Sequence, residues 1–370
     1  MEQARKRLDF LDVAKFIGIT LMIYVHARGQ GQESLYFSAF HMPLFFIISG
    51  MTFRIKEGES AGDFLVRKIK SFIIPFIVLA LMITFCDMAI DASLGTIVNW
   101  KYFVDKLVYI WHSSRPYPLW FVLALFFGEI WLYLFIRLSF KKDLLVFLYS
   151  LISLTLIMLF YHYFPQKLAH SFDASFVAVF LICLGYMFYR PWNTKPREWI
   201  LSSRLKSFII GALLLGICFG ITFYLFKTYE NPWYRFDMWG NAYKPAYWRI
   251  PAAIAGSFGL IFVSNTISNK VMGYFGRHTL VILAFQQNVT IKIFQKYVAV
   301  DWFLSIGSFT DGKWPAIAFT LTCTLFSLAV LIPASILLTE THIAYIFYKK
   351  PAKWYLNLLN WISTNLHKTA

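Results

Sequence analysis

Apolar residues in this chain occur in runs of about twenty, the length that a helix needs to cross the hydrocarbon core of a bilayer. Short polar segments separate the runs. The pattern predicts about ten transmembrane helices, at residues 9–28, 36–53, 68–88, 118–138, 143–163, 172–190, 206–227, 249–268, 278–298 and 315–340. The predicted fold class is therefore an all-α polytopic membrane protein. We expect residues 1–345 to form one transmembrane domain and residues 346–370 a short basic cytoplasmic tail.

Lysine and arginine are concentrated in alternate loops. With a cytoplasmic N-terminus, the cytoplasmic segments hold 22 of the 35 Lys and Arg residues, the opposite side holds 12, and Lys15 lies within the first span. Because cytoplasmic loops of membrane proteins carry an excess of these residues, we expect both termini in the cytoplasm. The long loops 89–117 and 228–248 then lie outside. Their many Trp and Tyr residues fit either interfacial anchoring or stacking against a sugar ring.

Composition supports the membrane interpretation and excludes one other class of protein. Hydrophobic residues make up 58% of the 370 positions, above the roughly 45–50% typical of soluble domains. A net charge of +16 would suggest nucleic-acid binding in a soluble protein. Here the basic residues lie between apolar runs, so no nucleic-acid partner is expected. The four cysteines lie within apolar runs without metal-site spacing, and no metal site is expected.

The first predicted span, "DVAKFIGITLMIYVH", carries three ionisable residues at helical spacing. Lys15 and His26 are eleven residues apart, close to three turns, so both project from nearly the same helix face. Asp12 precedes Lys15 by three residues and can pair with it. Ionisable residues inside a membrane are costly and mark functional sites. We therefore expect this stripe to face the interior of the bundle or a wet cavity.

Further ionisable residues lie in the neighbouring spans. His41 begins the second span at a depth similar to that of His26, and either histidine could instead be an interfacial residue bonded to a backbone carbonyl. Glu129 lies near the middle of the fourth span and is a functional candidate for the same reason as the stripe. In the ninth span, Gln286 and Gln287 are expected to make hydrogen bonds between helices.

Basic residues surround the cytoplasmic ends of the second and third spans. They are Arg54, Arg67, Lys68 and Lys70. They could serve only to orient the protein. Alternatively, they could bind a cytosolic ligand that carries phosphate, since arginine contacts phosphate oxygens through two parallel hydrogen bonds.

The stretch "RLDFLDVAKFIGITLMIYVH" resembles the first helix of the membrane-bound acyltransferase-3 family, which has an Asp, a basic residue and, after ten further residues, a His. The segments "FHMPLFFIISGMTFR", "FLVRKIKSFIIPF", "PLWFVLALFFGEI" and "GYFGRHTLVILAFQ" resemble later family segments, so the resemblance covers about residues 7 to 290. Lys15 stands where the family more often has Arg. Gln286 and Gln287 stand where many members have His, and no catalytic role is transferred to them.

The resemblance implies an O-acyltransferase of the inner or plasma membrane. It would move an acyl group other than an amino-acyl group, usually acetyl, from acyl-CoA to a hydroxyl of a cell-envelope carbohydrate. His26 would be the general base or a transient acyl carrier, and Lys15 with Asp12 would position the donor. His41 and Glu129 would have acid–base or acceptor-side roles. The residues expected to bind the CoA phosphates are Arg54, Arg67, Lys68 and Lys70. Acetyl-CoA is then a substrate, and no permanently bound cofactor is expected.

Two other functions fit the same polar stripe. A transporter or flippase of glycan intermediates would line its path with such residues, although the sequence has no inverted repeat and no obvious pair of broken helices. A purely structural membrane subunit is the third alternative, and it leaves the spacing of Asp12, Lys15 and His26 unexplained. The pattern favours no particular acceptor sugar or oligomeric state.

Overall fold

The computed structural model describes residues 9–29, 31–164, 166–229, 237–241, 243–267, 269–306, 314–347 and 350–369. Residues 5–7 of the basic N-terminus, residues 230–236 and 242 of the second outer loop, and Lys349 of the tail lie outside these described residues. Across the described ranges the chain is almost entirely helical.

Nine helices in the described ranges are long and apolar enough to cross a membrane. Their bounds are Asp9–Arg28, Glu33–Thr52, Ala61–Ser93, Trp120–Leu138, Asp143–Tyr163, Ala169–Phe188, Arg204–Tyr229, Ala246–Ile267 and Trp314–Glu340. These helices confirm a polytopic membrane protein. They correspond to all the predicted spans except the ninth.

The α-helices are numbered here in chain order. They are α1 Asp9–Arg28, α2 Gln32–Ser38, α3 His41–Thr52, α4 Ala61–Lys68, α5 Ile74–Ser93, α6 Trp100–His112, α7 Trp120–Leu138, α8 Asp143–Tyr163, α9 Ala174–Phe188, α10 Thr194–Leu201, α11 Arg204–Tyr229, α12 Ala246–Ile267, α13 Lys270–Phe275, α14 Thr279–Phe285, α15 Val300–Ser305, α16 Trp314–Glu340 and α17 Lys353–Thr369. A π-helical turn, Ile69–Ile73, joins α4 to α5.

The ninth predicted span, 278–298, differs from the others because it is not a regular α-helix. Its parts are α14 and the π-helical turns Gln286–Ile291 and Phe294–Val298. It nevertheless crosses the bundle. Just before it, Arg277 Nε lies 3.8 Å from Asp12 Oδ2 at the start of α1. At its other end, the Tyr297 hydroxyl donates to the Ile90 carbonyl near the end of α5, at 3.2 Å. With the nine long helices, this segment gives ten crossings among the residues that the structure describes.

The region 89–117, predicted as an outer loop, contains the helix α6. Asn99 caps its start by accepting a hydrogen bond from the Tyr102 backbone N–H at 3.0 Å. Trp100 and Trp111 remain largely exposed on this helix. The helix lies against α5 and, as described below, contributes polar side chains to the site.

Helix α1 lies at the centre of the bundle, where it packs against α3, α12, α13 and α16. Two close contacts between backbones hold the helices that carry polar residues. A Cβ on Gly50 would lie 1.8 Å from the Ile182 carbonyl oxygen, and one on Gly276 would lie 1.8 Å from the Asp12 carbonyl oxygen. Because only glycine permits such approaches, small residues bring α3 against α9 and α13 against α1.

We name the two ends of the bundle by their residues. The inner end carries Asp12, Arg54 and Glu340, and the outer end carries His26, Asp87 and Arg115. The loop-charge bias predicts that the inner end faces the cytoplasm.

A cysteine-labelling experiment tests this orientation. In a background with the native cysteines changed to serine, Thr96→Cys at the outer end should react with an impermeant thiol reagent on intact cells. Glu57→Cys at the inner end is the matched control, since both side chains are exposed, and it should react only after lysis. Labelling of Glu57→Cys alone on intact cells would show that the orientation is the opposite of the predicted one.

Candidate active site

A cavity of about 750 Å³, the outer cavity, opens at the outer end of the bundle. Both His26 and His41 line it. His41 is 5% exposed, and its Nδ1 lies 2.9 Å from the Phe37 carbonyl oxygen. Because a carbonyl only accepts hydrogen bonds, Nδ1 of His41 carries a proton and donates it to this bond.

Aromatic side chains form much of the outer cavity wall. They are Tyr102, Tyr109, Tyr117, Trp120 and Trp239. Such side chains combine a flat apolar face with a polar tip. The wall can therefore both stack against a ring and accept or donate hydrogen bonds.

His26 is held by the irregular ninth span. Its Nδ1 lies 2.5 Å from Gln286 Nε2. Gln286 begins the π-helical turn that follows α14, and the next two residues, Gln287 and Asn288, line the outer cavity. The sequence predicted a hydrogen bond between helices for Gln286, and its partner is the candidate catalytic histidine.

An ionic network on the outer cavity joins α5 and α6 to the ninth span. Asp87 accepts hydrogen bonds from Lys106 Nζ and from Lys292 Nζ, both at 2.6 Å, and Lys292 also reaches Asp91 at 2.6 Å. Burial alone would lower the pKa of Lys106, but the hydrogen bond to Asp87 raises it, and the net pKa lies above the ordinary value. Sequence reasoning missed this network, although Asp87 and Asp91 are four residues apart on one helix face.

A buried ion pair between Arg115 and Asp173 holds the segment 237–241 at the wall of the outer cavity. Arg115 donates two parallel hydrogen bonds to the Asp173 carboxylate, at 2.7 and 2.8 Å. The same guanidinium donates to Asn241 Oδ1 at 3.0 Å and to the Trp239 carbonyl at 3.2 Å. Arg115 therefore fixes the segment 237–241, whose Trp239 ring lines the cavity.

A middle cavity of about 550 Å³ lies further along the same helix. Lys15 and Asp12 line it, and they form the predicted pair, with Lys15 Nζ 2.5 Å from Asp12 Oδ1. Leu283 lines both the middle and the outer cavity. The stripe on α1 thus runs along two adjoining cavities, with Lys15 in one and His26 in the other.

An inner cavity of about 610 Å³ completes the row. Ser71 and Leu280 line both the inner and the middle cavity. The basic residues that line the inner cavity are Lys56, Arg67, Lys70 and Arg277. Sequence reasoning named Arg67 and Lys70 but missed Lys56 and Arg277, whose loop positions look like ordinary positive-inside charge.

Arg67 is anchored within the inner cavity. It donates hydrogen bonds to both carboxylate oxygens of Glu59, at 2.6 and 2.7 Å, and to the Arg54 carbonyl at 3.1 Å. The hydrogen bonds from Arg67 lower the pKa of Glu59 to about 2. The pair therefore stays ionised at neutral pH and holds the guanidinium at the cavity wall.

Lys68 and Glu129 lie together, away from the inner cavity. The Lys68 ammonium forms a buried ion pair with Glu129, whose other oxygen accepts a hydrogen bond from Ser49 Oγ at 2.5 Å. The ammonium also lies 5.1 Å from the centroid of the Phe53 ring and 5.3 Å from that of Phe64. Of the four predicted phosphate ligands, Arg67 and Lys70 line the inner cavity, Arg54 lines the middle one, and Lys68 pairs with Glu129.

The fold and the site define a polytopic membrane protein with a row of three adjoining cavities between the two ends of its bundle. The family model described as an acyltransferase domain matches residues 8–337, and the chain belongs to this acyltransferase-3 family. It is thus a multi-pass membrane acyltransferase. A search of curated proteins and a search of solved structures each gave no match.

Proposed function

We propose that this protein transfers an acyl group, acetyl in the first instance, from acyl-CoA at the inner end to a hydroxyl of a cell-surface or lipid-linked carbohydrate at the outer end. The membrane would be the inner or plasma membrane. The row of three adjoining cavities carries the proposal, since it links a basic inner end to a histidine-lined outer end.

The inner cavity suits the nucleotide end of the donor. CoA carries several phosphate groups, and four basic side chains line this cavity. Arginine and lysine bind phosphate oxygens through charge-assisted hydrogen bonds. This supports Arg67 and Lys70 as donor-binding residues and adds Lys56 and Arg277 to them.

The middle cavity suits the arm that carries the thioester. Its wall offers the hydroxyls of Ser49 and Ser71 together with Lys15 and Arg54, which can satisfy the amide and hydroxyl groups of a pantetheine arm. Along α1, Lys15 and His26 are separated by about 16 Å at 1.5 Å per residue. An arm extended through this cavity brings the thioester toward Leu283 and the outer cavity.

The proposed reaction needs one base at the outer cavity. His26 takes the proton of the acceptor hydroxyl, and the resulting oxygen nucleophile forms a bond to the thioester carbonyl carbon. The carbon–sulfur bond then breaks, and the CoA thiolate leaves with the proton that the imidazolium returns. If His26 instead carries the acyl group transiently, the kinetics become ping-pong.

The aromatic wall supports a carbohydrate acceptor. A pyranose ring has an apolar face that packs on rings such as Trp120 and Trp239, while its hydroxyls reach the polar tips of Tyr102 and Tyr109. His41 lies on the same wall, where it can contact the acceptor. No observation on the described residues favours the transporter or flippase alternative.

A direct assay tests the proposed function. Purified protein in detergent is incubated with radiolabelled acetyl-CoA and candidate glycan acceptors, and labelled product or labelled acetate is counted. An acyltransferase releases or transfers the label. Retention of all label on CoA with every acceptor, and no hydrolysis, would contradict the proposal.

Donor binding can be tested separately. Changing Arg67 and Lys70 together to Gln should raise the donor KM by about ten- to a hundredfold, because a hydrogen bond to a charged group contributes roughly 1.5–3 kcal/mol. Lys195→Gln, at an exposed lysine of α10 outside the inner cavity, is the matched control and should keep the wild-type KM. An unchanged donor KM in the well-folded double variant would mean that Arg67 and Lys70 serve only to orient the protein in the membrane.

A further inference from the structure

Gln286 is the polar neighbour of the candidate base, and its side chain is 0% exposed. One end of its amide, Nε2, faces His26 Nδ1, while the other end, Oε1, is buried and has no hydrogen-bond partner among the described residues. A buried carbonyl oxygen without a partner is destabilising, because it has lost its hydrogen bonds to water. This arrangement needs an explanation beyond packing.

The two ends of a glutamine amide have nearly the same shape, and hydrogen bonding decides which end faces a neighbour. If Nε2–H donates to Nδ1 of His26, the proton of the neutral imidazole must lie on the ring Nε2. The ring then has no lone pair left to accept a proton. If Oε1 faces the ring instead, Nδ1–H donates to it and the ring Nε2 becomes the basic nitrogen.

The protonated ring decides between these orientations. Once His26 has taken the acceptor proton, both ring nitrogens carry hydrogen. Nε2–H of Gln286 would then face another N–H group, and the contact would be lost. Oε1 can accept from Nδ1–H in the neutral and in the protonated ring, so it suits every stage of a proton transfer.

The backbone around Gln286 holds the amide in place. Gln286 begins a π-helical turn that packs between α1, α5 and α16, and π-helical turns are frequent at functional sites. The Thr290 hydroxyl donates to the Gln286 carbonyl at 3.1 Å. Gln286 is therefore held at its backbone carbonyl by Thr290 and at its side-chain tip by His26.

We propose that Gln286 is a positioning residue that presents Oε1 to Nδ1–H of His26 during transfer and so makes the ring Nε2 the proton acceptor. The proposal rests on the proposed function. In this role Gln286 selects the tautomer of the His26 ring. A purely structural contact could be made by a donor or an apolar group, whereas this role requires an acceptor atom.

Three variants at Gln286 separate acceptor from donor. Gln286→Glu keeps an acceptor, Gln286→Lys supplies only a donor, and Gln286→Met, of similar length, has no donor and only a weakly accepting thioether. We expect Gln286→Glu to retain most of the wild-type kcat at its own optimal pH. The Lys and Met variants should lose about 10–100-fold in kcat with the donor KM unchanged, taking as a guide the range found when the hydrogen-bond partners of metal-bound histidines are changed.

The controls keep the outcomes distinct. Gln295→Met, in the same span but outside the outer cavity, should keep the wild-type kcat. A wild-type kcat in a well-folded Gln286→Met variant overturns the proposal, and so does equal loss in all three variants or retention by Gln286→Lys alone. If Gln286→Glu does not fold, the Met variant still tests the proposal, since a lower kcat with an unchanged donor KM supports it and a wild-type kcat overturns it. If the wild-type protein transfers no label, the proposed function fails and this inference fails with it.

Discussion

His26→Ala is expected to lower acyl transfer by about 10²–10⁴-fold, the contribution typical of a general base. The imidazole lines the outer cavity, where the acceptor would enter, and its Nδ1 is held by Gln286. Removing a polar group from a span does not impair membrane insertion, so expression should be unchanged. The initial rate of label transfer from acetyl-CoA, with protein quantified by immunoblot, measures the effect.

Two matched variants make this test specific. Combining His26→Ala with Val25→His should not restore activity, because one residue turns a side chain by about 100° around the helix, away from the stripe. Lys15→Arg should retain activity and Lys15→Ala should lose most of it, since the charge of Lys15 pairs with Asp12 in the middle cavity. If His26→Ala transfers acyl groups at the wild-type rate, His26 is a structural residue and not the general base.

Arg115→Met is expected to destabilise the protein by about 3–5 kcal/mol, because it leaves a buried charge without its ion-pair partner. Asp173 is 0% exposed, and Arg115 is its cationic partner within the described network. The same change releases the segment 237–241 from the outer cavity. Denaturant unfolding in detergent measures the first effect, and a raised acceptor KM measures the second.

Arg190→Met is the control for this prediction. It breaks the ion pair between Arg190 and Asp143, whose side chains are 30% and 21% exposed. A solvent-accessible pair contributes roughly 0–1 kcal/mol, so the loss should be small. Equal losses of unfolding free energy in the two variants would mean that the burial of the Arg115–Asp173 pair does not increase the cost of breaking it.

The first helix shows which features of the candidate site can be predicted from a single sequence. The spacing of Asp12, Lys15 and His26 predicted one polar stripe, because residues on one helix face recur at a known period. The structure has the Asp12–Lys15 pair and places both histidines on one cavity. Hydropathy also predicted most of the crossings, since span length follows directly from bilayer thickness.

Contacts between distant segments lay beyond this reasoning. Asp87 and Lys292 are 205 positions apart, and Arg115 and Asp173 are 58 apart, so no local spacing predicts either pair. The same holds for Lys68, which looked like its neighbours Arg67 and Lys70. Only the packing of α4 against α7 decides that its ammonium pairs with Glu129.

The position of Leu283 bears on whether ions can leak through the protein. Leu283 lies where the middle and outer cavities adjoin, and the neighbouring wall residues include Met42 on one side and Phe45 and Phe121 on the other. These side chains are apolar, and apolar side chains around a narrow passage hinder the movement of ions. Under the proposed function, only a small neutral acyl group crosses at Leu283 while donor and acceptor stay at opposite ends, so that acyl transfer does not dissipate the ion gradients across the membrane.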